Sequence, residues 1–311
     1  MIAFSLLKKI VELFVYLGMG FAITKLGILK PKDSLPLSKV CVYLIIPCSI
    51  LNSFQVELTS DILQGMGVVF GVAVVAHIVF ILLADLFGHF IHADVIERAS
   101  IIYSNCGNLI IPIVASVLGD EWVIYISAYI TVFNILFWTH GKRMFSRGEK
   151  LRVKDILTNT NLISIFVGML MLATGIQFSG IPKAVVGDMA AMIGPVSMMI
   201  TGVILGGMDI KKLFSYRRSP VIVCLRMLLC PAVVLALMIV FRLEYIIPDG
   251  HRILMIPLLC AAAPTASLVN QCAVLYGFDE EYAGVLNMLT TLCCIVTMPV
   301  FVWVFDMIGH G

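Results

Sequence analysis

Runs of about 20 apolar residues recur along the whole chain, separated by short charged or Gly/Pro-marked stretches, and a helix needs about that length to cross a hydrocarbon core of about 30 Å. Ten such runs fall near residues 8–27, 36–55, 62–85, 99–118, 122–140, 159–176, 184–206, 219–241, 253–275 and 282–306. They predict ten transmembrane spans, numbered here 1 to 10. A basic stretch at 141–158 parts them into two halves, 1–140 and 159–311. Each half holds an odd number of spans, so if the halves are related, one lies upside down in the bilayer.

Two local matches relate them. Ile46-Pro47-Cys48-Ser49-Ile50 in span 2 answers Gly194-Pro195-Val196-Ser197-Met198 in span 7, and Gly119-Asp120-Glu121 after span 4 answers Gly277-Phe278-Asp279-Glu280 after span 9. The order and the span count agree, which predicts an all-α polytopic membrane protein built as two inverted five-helix repeats.

Composition fits a lipid environment. Of the 311 residues 60% are hydrophobic and 13% charged, with a mean hydropathy of +1.04, against about a quarter charged in soluble domains. The basic loops read as topology signals and not as a nucleic-acid surface. Fifteen Lys and Arg collect in the loops after spans 1, 3, 5 and 7, and five on the opposite side, so the 141–158 loop is expected in the cytoplasm and both termini outside it. Lys8 and Lys9 sit within the first apolar run with no small-residue cleavage signature after it, which reads as a retained helix. The nine cysteines lie in apolar runs without metal-type spacing, and no metal or other cofactor is expected.

Polar residues inside this apolar frame are the candidate chemistry. The stretch Ser104-Asn-Cys-Gly-Asn-Leu-Ile-Ile-Pro112 in span 4 and the stretch 261–271 in span 9, with Pro264, Thr265, Asn270 and Gln271, are Gly/Pro-interrupted segments in corresponding places of the two halves. Inverted-repeat transporters put their substrate at such broken helices near the midplane. Proline removes a backbone donor and frees carbonyls, and nothing in lipid can bond them. Spans 4 and 9 are therefore expected to be broken and to cross, with Gly107, Pro112, Pro264 and Thr265 at the crossover. Asn105 and Asn108, three apart, are expected to share a helical face and to bind substrate with Asn270 and Gln271, joined from span 2 by Ser49 and Asn52. The segments carry no Asp or Glu, the usual groups for proton or sodium coupling. Amides framed by positive helix ends suit an anion, most simply a carboxylate.

Arg226, inside span 8, has two readings: a partner for the substrate's charge, or a structural partner of freed carbonyls or of an acid such as Asp188 or Glu12. His77 reads as a hydrogen-bonded core residue more readily than as a proton relay, and Asn134 and Asn287 read equally as site residues or interhelical hydrogen-bond partners. No zinc-binding HExxH, protease-like aspartate pair or nucleophile elbow is present, so no catalytic residue is assigned and an enzyme is not expected.

At these residues the chain resembles the auxin efflux carrier family. The resemblance rests on Ser104 to Pro112, on Pro264-Thr265 through Tyr276-Gly277, on Leu289-Thr290-Thr291 and Met298-Pro299, and on 157–169, where Thr160 stands in place of the family's proline. It implies a scaffold from spans 1, 2, 6 and 7, a transport domain from spans 3–5 and 8–10, and elevator-type alternating access. It also implies a homodimer and the movement of organic anions such as malate, malonate or auxin, with Asn105 as the family's span-4 asparagine. The short loops suit a bacterial inner membrane. The expected function is a secondary carrier for a small organic anion; a sodium- or proton-coupled symporter on the same frame is the alternative.

Overall fold

The computed structural model describes residues 2–146, 157–207 and 216–309. Among these, every regular element is helical. The elements are α1 (Ile2–Lys25), α2 (Pro31–Ser53), α3 (Ser60–Ile91), α4 (Val95–Ile102), α5 (Cys106–Val117), α6 (Asp120–Phe145), α7 (Thr160–Thr174), α8 (Gly180–Gly206), α9 (Ser219–Val240), α10 (Gly250–Ala262), α11 (Ser267–Tyr276) and α12 (Glu280–Gly309). Six of them, α2, α3, α6, α8, α9 and α12, are long and apolar enough to cross a membrane, while α5, α7 and α10 are shorter apolar helices. The protein is an all-α, multi-pass membrane protein.

Helix ends depart from the apolar runs where the backbone has a reason to continue. Helix α6 extends to Phe145, so Lys142 and Arg143 are helical. It passes Gly141 through a π-helical turn, Phe137–Gly141, where the Tyr103 ring packs 3.0 Å from the place a Cβ would occupy. The rest of the predicted cytoplasmic loop, residues 147–156, lies outside the described residues, as do Lys211 and Lys212.

Prolines mark a second regularity. Pro47, Pro112 and Pro231 each follow by two residues a π-helical turn, at Cys41–Ile45, Cys106–Ile110 and Leu225–Leu229. A wider turn gives room to a ring that clashes with the preceding turn of a regular helix. At α7 Asn159 caps the helix, its side chain accepting from the Leu162 amide at 3.1 Å, and Thr160 takes the first helical position, where proline is favoured.

The chain divides into two compact units: Met1–Leu63, Gly107–Ser127 and Leu157–Asp209 form one, and Gln64–Cys106, Ala128–Ile156 and Ile210–Gly311 the other. In the first unit α1 lies along α8 at very close range, because Gly20 faces the Met199 backbone and Gly202 the Leu17 carbonyl with no room for a Cβ at either. Small residues at such contacts are how helices associate when lipid is as apolar as the side chains. In the second unit α3, α4, most of α6 and α9 to α12 enclose a core that includes Phe80, Ile102, Tyr129, Leu254 and Leu286. Both glycines of the sequence match have a positive φ: Gly119 (φ +119°) ends the segment after α5 and Gly277 (φ +69°) the one after α11, values that favour glycine.

Candidate functional site

Helix α4 is set from its first residue. The Asp94 side chain accepts from the Glu97 amide at 2.8 Å while Glu97 Oε2 accepts from the Asp94 amide at 2.9 Å, a reciprocal capping box. Glu97 is buried, at 1% exposure, and also accepts a 2.7 Å hydrogen bond from the Tyr282 hydroxyl and lies 3.5 Å from Arg218. The Asp-x-x-Glu spacing signals this cap in the sequence, but the burial of Glu97 depends on Tyr282 of α12 and is not legible there.

Eight residues later the helix stops. Tyr103 turns extended (φ −101°, ψ 119°), and Ala263 does the same at the end of α10 (φ −68°, ψ 150°). The two extended pieces pair as a single antiparallel bridge, Ser104 opposite Thr265. Asn105 N–H donates to Pro264 O at 2.8 Å and Ala266 N–H to Tyr103 O at 2.9 Å. The breaks in spans 4 and 9 therefore satisfy part of each other's freed backbone.

Neighbouring side chains satisfy more of it. Thr265 N–H donates to Thr290 Oγ1 at 3.1 Å, its Oγ1 donates to Ser100 O at 3.2 Å, and its carbonyl accepts from Asn287 Nδ2 at 2.8 Å. Arg226, in the π-helical turn of α9 and fully buried, donates from Nε to Ala263 O at 3.1 Å and from Nη1 to Ile101 O at 3.1 Å. Its Nη2 donates to Ala261 O and Ala263 O, each at 2.8 Å. The guanidinium also stands 5.7 Å from the Phe80 ring centre. Of the two readings left open for Arg226, its geometry matches the structural one.

The remaining polar groups are bare. Among the described residues, no hydrogen bond engages the side-chain amide of the half-buried Asn105, and Ser104 Oγ and Asn270 Oδ1 are buried without a partner. Gln271 is exposed. No group of three or more His, Cys, Asp or Glu is placed to hold a metal among the described residues.

The other candidate residues are distributed differently. Asn105 is not helical, so it shares no helical face with Asn108, which lies in the π-helical turn Cys106–Ile110. The unit boundary falls between Cys106 and Gly107, so Gly107, Asn108 and Pro112 belong to the first unit. Pro112 sits in the first turn of the regular helix after that π-helical turn, beyond the break and not in it. Ser49 is buried in α2 of the same unit, and Asn52 Nδ2 donates to Asp120 Oδ2 at 3.3 Å. His77 is a core residue whose Nδ1 lies 2.8 Å from Ala73 O. Asn134 is buried, and its Nδ2 has no partner among the described residues. Asn287, read from sequence with two equal roles, bonds the break itself. A cavity of about 290 Å³ in the second unit is lined by Met238, Arg242, Glu244, Tyr245 and Phe305 among others, and by none of the break residues.

A family model described as a membrane transport protein matches residues 5–302, nearly the whole chain. No curated protein matches it.

Proposed function

Because the chain belongs to the auxin efflux carrier family of membrane transport proteins, it is a membrane transporter, and we propose that it is a secondary carrier for a small organic anion, a carboxylate such as malate, malonate or an auxin-like acid. The observation that carries this reading is the contrast at the break. Its backbone is bonded by Thr290, Asn287 and Arg226, while among the described residues the buried Asn270 Oδ1 beside it has no partner and no hydrogen bond engages the half-buried Asn105 side chain. Buried polar groups are nearly always bonded, so amides left bare at a helix break are suited to a cargo. Asn105 and Gln271, and Asn270 through its Nδ2, then bind the carboxylate by amide donors, the bare Asn270 Oδ1 is left to accept from a donor on the cargo, and Thr265 and Pro264 fix the backbone that presents them.

The family's elevator-type alternating access, two inverted five-helix repeats and homodimer complete the proposal. Two observations support the repeats: both broken spans end on a positive-φ glycine, and each is followed by a helix with acids in its first turn, Asp120 and Glu121 in one case and Glu280 and Glu281 in the other. The compact first unit holds α1, α2, α7 and α8 together with 107–127, which supports a scaffold from spans 1, 2, 6 and 7. The distribution of Lys and Arg supports a cell inner membrane orientation with both termini outside the cytoplasm.

The test is counterflow of radiolabelled malate, malonate and indole-3-acetate in proteoliposomes, with wild type beside Asn105→Ala. Exchange of at least one of these acids, lowered at least about tenfold by the substitution as expected for loss of a charge-assisted hydrogen bond, supports the assignment. Unchanged exchange in the variant removes Asn105 from the site.

A further inference from the structure

Half-helix C-termini and unwound carbonyls are the groups with which broken-helix transporters coordinate sodium. In the second unit such groups converge: Ile101 O lies in the last turn of α4, Ala261 O in the last turn of α10, and Ala263 O in the extended piece after it. All three accept from one fully buried side chain, Arg226.

Charge accounts for the pairing. Each helix C-terminus carries about half a negative charge, so two of them together present about one, which the single positive charge of the guanidinium balances. No Asp or Glu bonds Arg226 among the described residues; its hydrogen bonds go to carbonyls. The planar fork reaches three carbonyls at 2.8–3.1 Å, a task for which a compact ammonium has too little span. A bound sodium ion leaves and returns; this cation does neither.

We propose that Arg226 is a built-in cation that holds the break between α4 and α10 closed where an exchangeable ion would otherwise be needed, so that the site assembles without sodium. The proposal rests on the carrier reading only for what the site is for, and its test requires no cargo. It also removes Arg226 as the partner of the carried anion, since its donors are already directed at carbonyls.

The experiment is thermal unfolding of the purified full-length protein in sodium chloride and in choline chloride at equal ionic strength, for wild type, Arg226→Lys, Arg226→Met and Arg226→Ala. Wild type is expected to melt at the same temperature in both salts. Arg226→Lys, which keeps the charge, is expected to melt several degrees above the neutral Arg226→Met of similar length. Arg226→Ala, which leaves a hole lined by the three carbonyls, is expected to gain several degrees when millimolar methylguanidinium is added, a gain wild type does not show. A wild type stabilised by sodium over choline overturns the proposal, as does a Lys variant no better than Met, or an Ala variant indifferent to methylguanidinium. If no variant can be purified, the wild-type comparison still decides. Failure of malate, malonate and indole-3-acetate to exchange would count against the carrier reading and leave these melting results untouched.

Discussion

Thr265 and Asn270 stand within two turns of each other on the chain and differ in how their polar groups are treated. Thr265 is fully buried, and its amide, hydroxyl and carbonyl are each bonded, to Thr290, Ser100 and Asn287. Asn270 is half-buried, and its buried Oδ1 has no partner among the described residues. Leaving a buried polar group unbonded costs about 1–3 kcal/mol. The second unit thus places its stability at the break residues themselves and leaves the adjoining amides unspent. A substitution at one set should be read in unfolding experiments, and at the other in transport.

The largest effect should come from breaking the bonded set. Asn287→Leu combined with Thr290→Val strips the Thr265 carbonyl and amide of their partners. Two unsatisfied buried groups predict a loss of about 2–6 kcal/mol, read by unfolding the detergent-purified protein. If stability hardly changes, the break is not held by these bonds and the contrast fails.

Next in size is the converse substitution. Asn270→Leu removes an oxygen that bonds nothing among the described residues, so stability should hold or rise by up to about 1 kcal/mol. Counterflow of an acid that wild type exchanges should fall at least as far as in Asn105→Ala. Destabilisation of the kind expected for the Asn287 and Thr290 pair would make Asn270 a structural residue.

The sequence carried the place of the break better than its wiring. Pro264 and the polar run from Ser104 are visible because no regular membrane helix accommodates them without another source of donors. Gly119 and Gly277 are visible because acids follow both. The pairing of Ser104 with Thr265 was not legible, and neither was the choice of Asn287, Thr290 and Arg226 as donors, since each joins residues on different helices. Pattern along one chain shows which carbonyls are freed and says nothing of which side chain reaches them. Pro112 illustrates the same limit. Its type and place in the sequence point to the crossover; it sits in the first turn of the helix that follows the π-helical turn Cys106–Ile110, and the chain leaves helical geometry upstream of that turn, at Tyr103. Asn108, spaced correctly for a shared face with Asn105, has no such face because Asn105 lies outside any helix and is bonded through its backbone to Pro264.

Gln271 gives the smallest expected effect and the sharpest use of the contrast. It adjoins Asn270 on α11, but it is exposed, and successive residues on a helix point about 100° apart. A side chain that already meets solvent gives up little when shortened, so Gln271→Ala should leave stability within about 0.5 kcal/mol. If the cargo is held from the side that Asn270 faces, counterflow should drop no more than about threefold, because a solvated hydrogen bond exchanges one partner for water at small net cost. A loss as deep as that of Asn270→Leu would mean that the exposed Gln271 grips the cargo as closely as the amides on the buried side of α11 do, and the contrast between solvated and buried amides would fail.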